Sequence, residues 1–164
     1  MQKYWTAFTD KGIEYLIKSD MSSAEIKTTL FFTTIMNEEN IITIPRKTDI
    51  FKIMDQKLKT GYSTATQART FSKLQSLNII KKIPKNTEFT PGFMFNPFIA
   101  YNGGKAKGQL NSINWIKINN YTIKSKKYTK EYILISKETL KEIHPFDTKL
   151  FNSDFDFEGI NELL

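Results

Sequence analysis

Residues 63–82 read STATQARTFSKLQSLNIIKK, a pattern typical of a capped helix that runs into a short strand. Ser63 is a good N-cap, because its hydroxyl can accept a hydrogen bond from a free amide of the first turn. Apolar residues recur at every third position and form one buried stripe; they are Ala65, Ala68, Phe71, Leu74 and Leu77. Asn78 tolerates the left-handed conformation and ends the helix. The pattern predicts a helix over 63–77 and a strand over 79–83.

The sequence before this helix predicts two more helices with a short strand between them. Ser22 and Glu25 have the spacing of a capping box, which predicts a helix over 24–36. Its expected apolar face consists of Ile26, Leu30, Phe31 and Ile35. Residues 41–44 are typical of a strand ended by Pro45, and Thr48 is expected to cap the second helix. The aromatic residues within 1–20 predict a strand or a short helix there.

After the helix at 63–77 and the strand at 79–83, a further strand is predicted at Phe93–Phe95, which ends at an Asn-Pro step. Gly61 is expected to take a positive φ in the turn before that helix. The order is then helix, strand, helix, turn, helix, strand, loop, strand, which is the order of a winged helix-turn-helix. We therefore predict an α+β fold, with a winged helix-turn-helix DNA-binding domain over 1–104 and a C-terminal α/β extension over 105–164.

The predicted extension contains several short elements and an acidic aromatic tail. Two strands are expected at Trp115–Ile118 and Tyr121–Ile123, around a turn at Asn119-Asn120. A further strand at 132–135 and a short helical stretch through Leu140 and Ile143 are expected after them.

Charge is distributed unevenly along the 164 residues, whose net charge is +7. Residues 147–164 contain five acidic residues and one lysine, so the preceding residues carry a net charge of about +11. A basic body with an acidic tail favours a polyanionic partner for the body. The alternative is that the lysines serve only for solubility.

Residue usage excludes several classes of protein. The chain has no Cys and one His, which excludes a disulfide framework and a thiolate or His-rich metal site. The absence of Cys also fits a cytoplasmic location. Residues 1–18 mix charged with apolar side chains, so neither a signal peptide nor a membrane span is expected there.

The polar side of the helix at 63–77 supplies the candidate DNA-binding residues. An α-helix fits the major groove, where Arg pairs with guanine and Gln with adenine, so Gln67 and Arg69 are predicted base contacts. Small hydroxyl residues at the helix start and lysines of the wing are expected at phosphates. The full predicted set is Ser63, Thr64, Thr66, Gln67, Arg69, Thr70, Lys73, Lys81, Lys82 and Lys85. The alternative is a solvated polar face on a core helix.

Two segments resemble one known family. Residues 63–82 resemble the recognition helix and first wing strand of the RepL-type plasmid replication proteins. Residues 92–103, GFMFNPFIAYNG, resemble their second wing strand, which ends in an Asn-Pro step with a Gly soon afterwards. The resemblance covers residues 24–104, although the turn before Ser63 is longer than usual. It implies a protein that marks a replication origin and recruits host replication proteins.

The predicted function is sequence-specific binding of double-stranded DNA by a plasmid or phage replication initiator. The alternatives are a winged-helix transcription regulator and a non-enzymatic protein-interaction module, such as a phage or mobile-element inhibitor. Predicted partners are DNA, host replication proteins and, in a homodimer, a second copy of the chain.

No catalytic, cofactor or metal residue is predicted. Gly103-Gly104-Lys105 lacks the pattern of a phosphate-binding loop, and His144 has no nearby nucleophile. Asp154, Asp156 and Glu158 alternate like metal ligands but form no complete calcium loop.

The acidic tail has three alternative roles. Phe155 and Phe157 alternate with acidic residues, so the tail is too apolar for a simple solubilising segment. It is expected to fold back on the basic body and compete with DNA, to dock on a host replication protein, or to pack on Trp115 as part of the extension.

Overall fold

The computed structural model describes residues 5–85 and 87–124. This part of the chain is a mixed α+β fold with five helices and two small antiparallel sheets. The elements are, in chain order, β1 (Thr6–Phe8), α1 (Asp10–Lys18), α2 (Ser23–Ile35), β2 (Ile41–Ile42), α3 (Lys47–Leu58), α4 (Thr64–Ser76), β3 (Ile80–Lys82), β4 (Phe93–Phe95), β5 (Ala100–Asn102) and α5 (Lys105–Lys124). No helix in these residues is both long enough and apolar enough to cross a membrane.

Strand β4 is the centre of a three-stranded sheet with the order β2-β4-β3. Met94 lies opposite Ile41 on one side and Lys81 on the other. Successive side chains of a strand point to opposite faces, so Phe93 and Phe95 lie on one face of the sheet and Met94 on the other. A separate two-stranded sheet pairs β1 with β5.

The larger core lies between helices α2, α3 and α4 and the Phe93 face of the sheet. Phe71 of α4 makes edge-to-face contacts with three other rings, with centroids 6.1 Å away for Phe32, 6.3 Å for Phe51 and 5.0 Å for Phe93. These four rings are buried in one cluster that also contains Ile50, Met54 and Leu74. The aromatic cluster fixes α4 between the other two helices and the sheet.

Helix α5 packs on the opposite face of the same sheet. Trp115 and Ile116 are fully buried in a second cluster with Met94 and Phe98. Gly108 lies so close to Tyr101 that an added Cβ would come within 2.8 Å of its ring. The helix therefore crosses β5 at short range.

Helix α5 shows that the strands predicted at 115–118 and 121–123 are wrong. The aromatic and β-branched residues of this segment favour a strand by local propensity alone. Burial instead recurs at Gly108, Asn111, Ser112 and Trp115, the three- and four-residue spacing of one helix face. Packing against the sheet thus overrides the local preference. The strand and helix expected within 132–143, and the acidic tail, lie outside the described residues.

Most predicted helix boundaries in the first 78 residues are confirmed. Ser22 and Glu25 form the predicted capping box, and Ser63 accepts a hydrogen bond from the Thr66 amide at the start of α4. Gly61 has a φ of 63° and Asn78 a φ of 55°, as expected for a turn and a helix end. Residues 1–20 were expected to give a strand or a helix, and the described part contains both β1 and α1.

Two details of the predicted helices are wrong. Ile26 and Leu30 of α2 are 46% and 49% exposed, whereas Phe31 is buried as predicted, together with Thr28, Thr29 and Phe32. The buried arc therefore lies to one side of the predicted apolar face. Thr48 lies inside α3, which begins after Arg46 with no side-chain cap.

The buried side chain of Asn40 connects the two sheets to α5. Its Nδ2 donates to the carbonyl of Ala100 at 2.8 Å and to that of Phe95 at 3.3 Å. Its Oδ1 accepts from the Asn102 amide at 3.3 Å and from Asn111 Nδ2 at 3.2 Å. Asn40 itself has a φ of 60°, a conformation that Asn tolerates better than other residues with a Cβ.

We expect Asn40→Ala to lower the free energy of unfolding much more than Asn78→Ala. Both positions have a left-handed backbone, so alanine costs about 1 kcal/mol of strain at each. Only Asn40→Ala also leaves buried polar groups without partners, which adds at least about 2 kcal/mol. Urea unfolding followed by tryptophan fluorescence measures both. Equal losses in the two variants would show that the Asn40 side chain contributes little.

Candidate nucleic-acid interface

Helices α3 and α4 are joined by a tight turn over residues 59–62. Lys59 adopts the left-handed conformation at the end of α3, and the Gly61 amide donates to Asp55 Oδ1 at 2.7 Å. Gln67 Nε2 then donates to the Tyr62 carbonyl at 3.1 Å. These contacts hold the start of α4 at a defined angle to α3. They also mean that Gln67, a predicted base contact, is already engaged with the turn.

The buried arc of α4 differs in part from the predicted stripe. Phe71 and Leu74 are buried as expected, but Ala65 is exposed. Thr70 is only 4% exposed, so the expectation that it lies on the exposed polar side is wrong. Thr70 precedes Phe71 by one residue and Leu74 by four, which places it in the same arc of the helix. A repeat of three drifts away from the true period of 3.6, and Ala65 lies where that drift is large.

The exposed face of α4 consists of residues three and four positions apart. Arg69 and Lys73 lie on it, and Ala65, Ser72 and Ser76 are their small neighbours. Arg69 also donates to Thr66 Oγ1 at 3.5 Å, so Thr66 supports the arginine from the half-buried edge of the helix. Ala65 was predicted to be buried, and Ser72 and Ser76 were not predicted as part of this face. Continuing the helical period from Arg69 would have identified all three.

A groove of about 590 Å³ separates this face from the start of α2. Arg69 and Lys73 line one wall, and Asp20 and Glu25 line the other. The Glu25 carboxylate accepts from both the amide and the hydroxyl of Ser22 in the capping box. Within residues 5–85 and 87–124, neither basic side chain forms an ion pair with a carboxylate. Their positive charge is therefore available to an anionic ligand.

The sequence between Asp55 and Glu88 contains no acidic residue. It contains these basic residues: Lys57, Lys59, Arg69, Lys73, Lys81, Lys82 and Lys85. Lys57 and Lys59 are exposed beside the turn that precedes α4, and they were missed as candidates. The absence of acidic residues from this segment is the signal that would have identified them.

The predicted wing lysines do not share one face. Lys82 is exposed and lies opposite Phe93, on the same side of the sheet as α4. Lys81 lies opposite Met94, on the side covered by α5, and it is half-buried. Burial lowers the pKa of the Lys81 ammonium below its ordinary value. Lys85 is exposed in the loop after β3. The structure thus brings Lys82, but not Lys81, to the side of α4.

Ser63 and Thr64 complete the predicted set at the exposed start of α4. The Ser63 hydroxyl caps the helix and donates to Thr66 Oγ1 at 3.0 Å, whereas Thr64 is exposed in the first turn.

In the described part of the chain, no group of three or more His, Cys, Asp or Glu is placed to hold a metal ion. His144 and the acidic residues of the tail lie outside that part.

Comparison of the chain with protein-family models, curated proteins and solved structures finds no match.

We expect Lys81→Met to raise the free energy of unfolding near neutral pH. The folded protein holds this ammonium in a half-buried site, so its charged form is disfavoured relative to the unfolded chain. The gain should be fully present below the folded pKa. It should shrink as the pH rises through the folded pKa towards about 10.5, because the folded state then loses the proton first.

Lys82→Met on the same strand is the matched control, because it removes a lysine that is exposed to solvent. Its free energy of unfolding should change by no more than about 0.5 kcal/mol. Denaturant titrations of both variants from neutral to alkaline pH provide the measurement. A gain for Lys81→Met that does not change with pH would contradict the desolvation argument.

Proposed function

We propose that the chain binds duplex DNA sequence-specifically through a winged helix-turn-helix formed by α2, β2, α3, α4, β3 and β4. The order of these elements supports the assignment, because a winged helix has a strand after its first helix and two strands after its third. The sheet order β2-β4-β3 also supports it, since the early strand pairs with the last one. The loop between β3 and β4 is the proposed wing.

The exposed face of α4 is the observation that carries the proposal. Arg69 and Lys73 stand one turn apart, and their neighbours Ala65 and Ser72 are small. Small neighbours let a helix lie deep in the major groove, where a guanidinium can pair with the O6 and N7 atoms of guanine. We assign base recognition to Arg69. Gln67 and Thr70 are less suitable for base contacts, because Gln67 bonds to the turn and Thr70 is buried.

Basic and hydroxyl groups on both sides of α4 are the proposed phosphate contacts. Ser63 and Thr64 lie at the helix N-terminus, whose partial positive charge favours phosphate. Lys57 at the end of α3 and Lys59 in the turn precede them, and Lys82 and Lys85 extend the positive surface along the wing; all four lysines are exposed. Contacts of this kind position a protein on DNA without reading its sequence.

We further propose that DNA binding serves replication of a plasmid or phage. The support is the resemblance of residues 63–82 and 92–103 to the RepL-type replication proteins. A minimal replicon that carries the gene tests this role. If the role is correct, a replicon that encodes the Arg69→Ala variant should no longer be maintained in the host. Normal maintenance together with lost repression of a promoter would indicate a transcription regulator instead.

Binding to duplex DNA should weaken steeply with salt. If about six or more phosphates are contacted, affinity should fall by orders of magnitude between ~50 and ~200 mM salt, because bound counterions are released on binding. Gel-shift titrations of the full chain with genomic fragments measure the slope. No binding to any duplex at low salt would refute the proposed function.

Arg69→Ala and Lys82→Ala should weaken binding in different ways. Loss of a bidentate pair with guanine should cost roughly 1–3 kcal/mol and relax sequence preference at one position. Lys82→Ala should weaken all sequences about equally, since it removes a phosphate contact. Selection of bound sequences from a random duplex pool gives both profiles.

The matched control for this pair is Lys117→Ala, on α5 across the sheet from α4, which should leave affinity unchanged. Identical sequence profiles for Arg69→Ala and Lys82→Ala would show that α4 does not face the bases.

A further inference from the structure

A second groove, of about 580 Å³, lies between α2 and the turn that joins α3 to α4. Phe31 and Met54 form its buried floor. Leu30 and Leu58 stand at its sides and are 49% and 56% exposed. Tyr62 contributes a half-buried ring. The groove therefore offers apolar surface that its own walls leave partly uncovered.

The rim of this groove is basic. Lys27 of α2 and Lys57 and Lys59 beside the turn line it, and none of its lining residues is acidic. In the described part of the chain these three lysines form no ion pair with a carboxylate. An apolar floor surrounded by positive charge fits a peptide that combines large apolar side chains with carboxylates.

We propose that this groove binds residues 151–158 of the same chain, FNSDFDFE. Phe151, Phe155 and Phe157 supply apolar side chains for the floor, and the intervening carboxylates complement the lysines of the rim. The groove and the segment each combine apolar side chains with charged ones, and their charges are of opposite sign. The chain thus contains the ligand that its groove selects.

The length of the chain permits this contact. Residues 125–150 separate the end of α5 from Phe151. A segment of this length can extend to roughly 90 Å. That reach exceeds the width of a domain of this size, so the groove is accessible to the tail. A tethered ligand also binds at a high effective concentration, which favours docking within one chain over docking between chains.

The docking extends beyond the proposed DNA binding and does not depend on it. Lys57 and Lys59 belong both to the groove and to the surface proposed for phosphate contact. A docked tail would neutralise them and lower the affinity for DNA, which makes the tail a competitor for part of that surface. The docking itself is measured without DNA, so its failure and the failure of DNA binding are distinguishable.

The absence of native cysteine makes disulfide cross-linking of the full chain unambiguous. Ser153→Cys lies within the tail segment and leaves its phenylalanines intact. It is combined with Thr34→Cys in the groove, with Ser72→Cys on α4, or with Ile17→Cys on α1. All three partner positions are exposed and helical, so they are matched in accessibility.

The Thr34 pair should form an intramolecular disulfide at least about tenfold faster than either other pair in a glutathione buffer. Mass spectrometry of quenched samples at low micromolar concentration gives the rates. Thr60→Cys, also in the groove, provides a second pair that should behave like the Thr34 pair. Lys27→Glu added to the Thr34 pair should remove most of the advantage, because it reverses one charge of the rim.

Three results would overturn the docking. Equal rates for all pairs would mean that the tail has no preferred site. A fastest Ser72 pair would place the tail on the exposed face of α4. Disulfides that form mainly between two molecules would show that the groove receives the tail of a second copy.

Discussion

The buried side chain of Asn40 holds three parts of the molecule in register. It bonds to Phe95 in β4, to Ala100 and Asn102 in β5, and to Asn111 in α5. The Phe95 and Ala100 carbonyls and the Asn102 amide are buried, so without the Asn40 side chain each would lose a hydrogen bond that water cannot replace. Asn111 Nδ2 would keep its bond to the Glu38 carbonyl. This one amide therefore helps to fix β5 relative to β4, and it adds a polar contact to the apolar packing that holds α5 on the sheet. The face of the sheet that α5 leaves uncovered is the one on which α4 packs.

Local signals in the sequence predict most of the first three-quarters of the fold. The capping box at Ser22, the cap at Ser63 and the helix end at Asn78 each depend on residues within one turn, so they are visible without tertiary structure. The secondary structure of residues 105–124 is not determined by local sequence. Trp115 and its neighbours have strand propensity, and only contact with the sheet makes them helical. The Asn40 network is likewise not visible in the sequence, because its partners lie 55 to 71 residues after Asn40 in the chain.

The candidate site could be predicted in outline but not in detail. Arg69 was identified from its residue type and its place on a capped helix, and it is exposed in the structure. Thr70 was misplaced because the apolar stripe was read with a period of three, which shifts the estimated edge of the buried arc. Lys81 and Lys82 look equivalent in the sequence, yet strand alternation sends them to opposite faces of the sheet. Lys81 is half-buried because α5 covers its face of the sheet, and this helix was not predicted from the sequence.

The pairing of β1 with β5 affects how the chain folds during its synthesis. Thr6 lies opposite Asn102 and Phe8 opposite Ala100, so the first described strand pairs with the whole of β5, more than 90 residues later in the chain. A ribosome must release about 100 residues before this two-stranded sheet can close, whereas α2, α3 and α4 can form from local contacts much earlier. Until then Trp5 and Phe8 emerge without their partner strand. If the three helices fold early, Trp5 and Phe8 can pack against them before β5 is made. The pairing of β1 with β5 would then follow the folding of these helices.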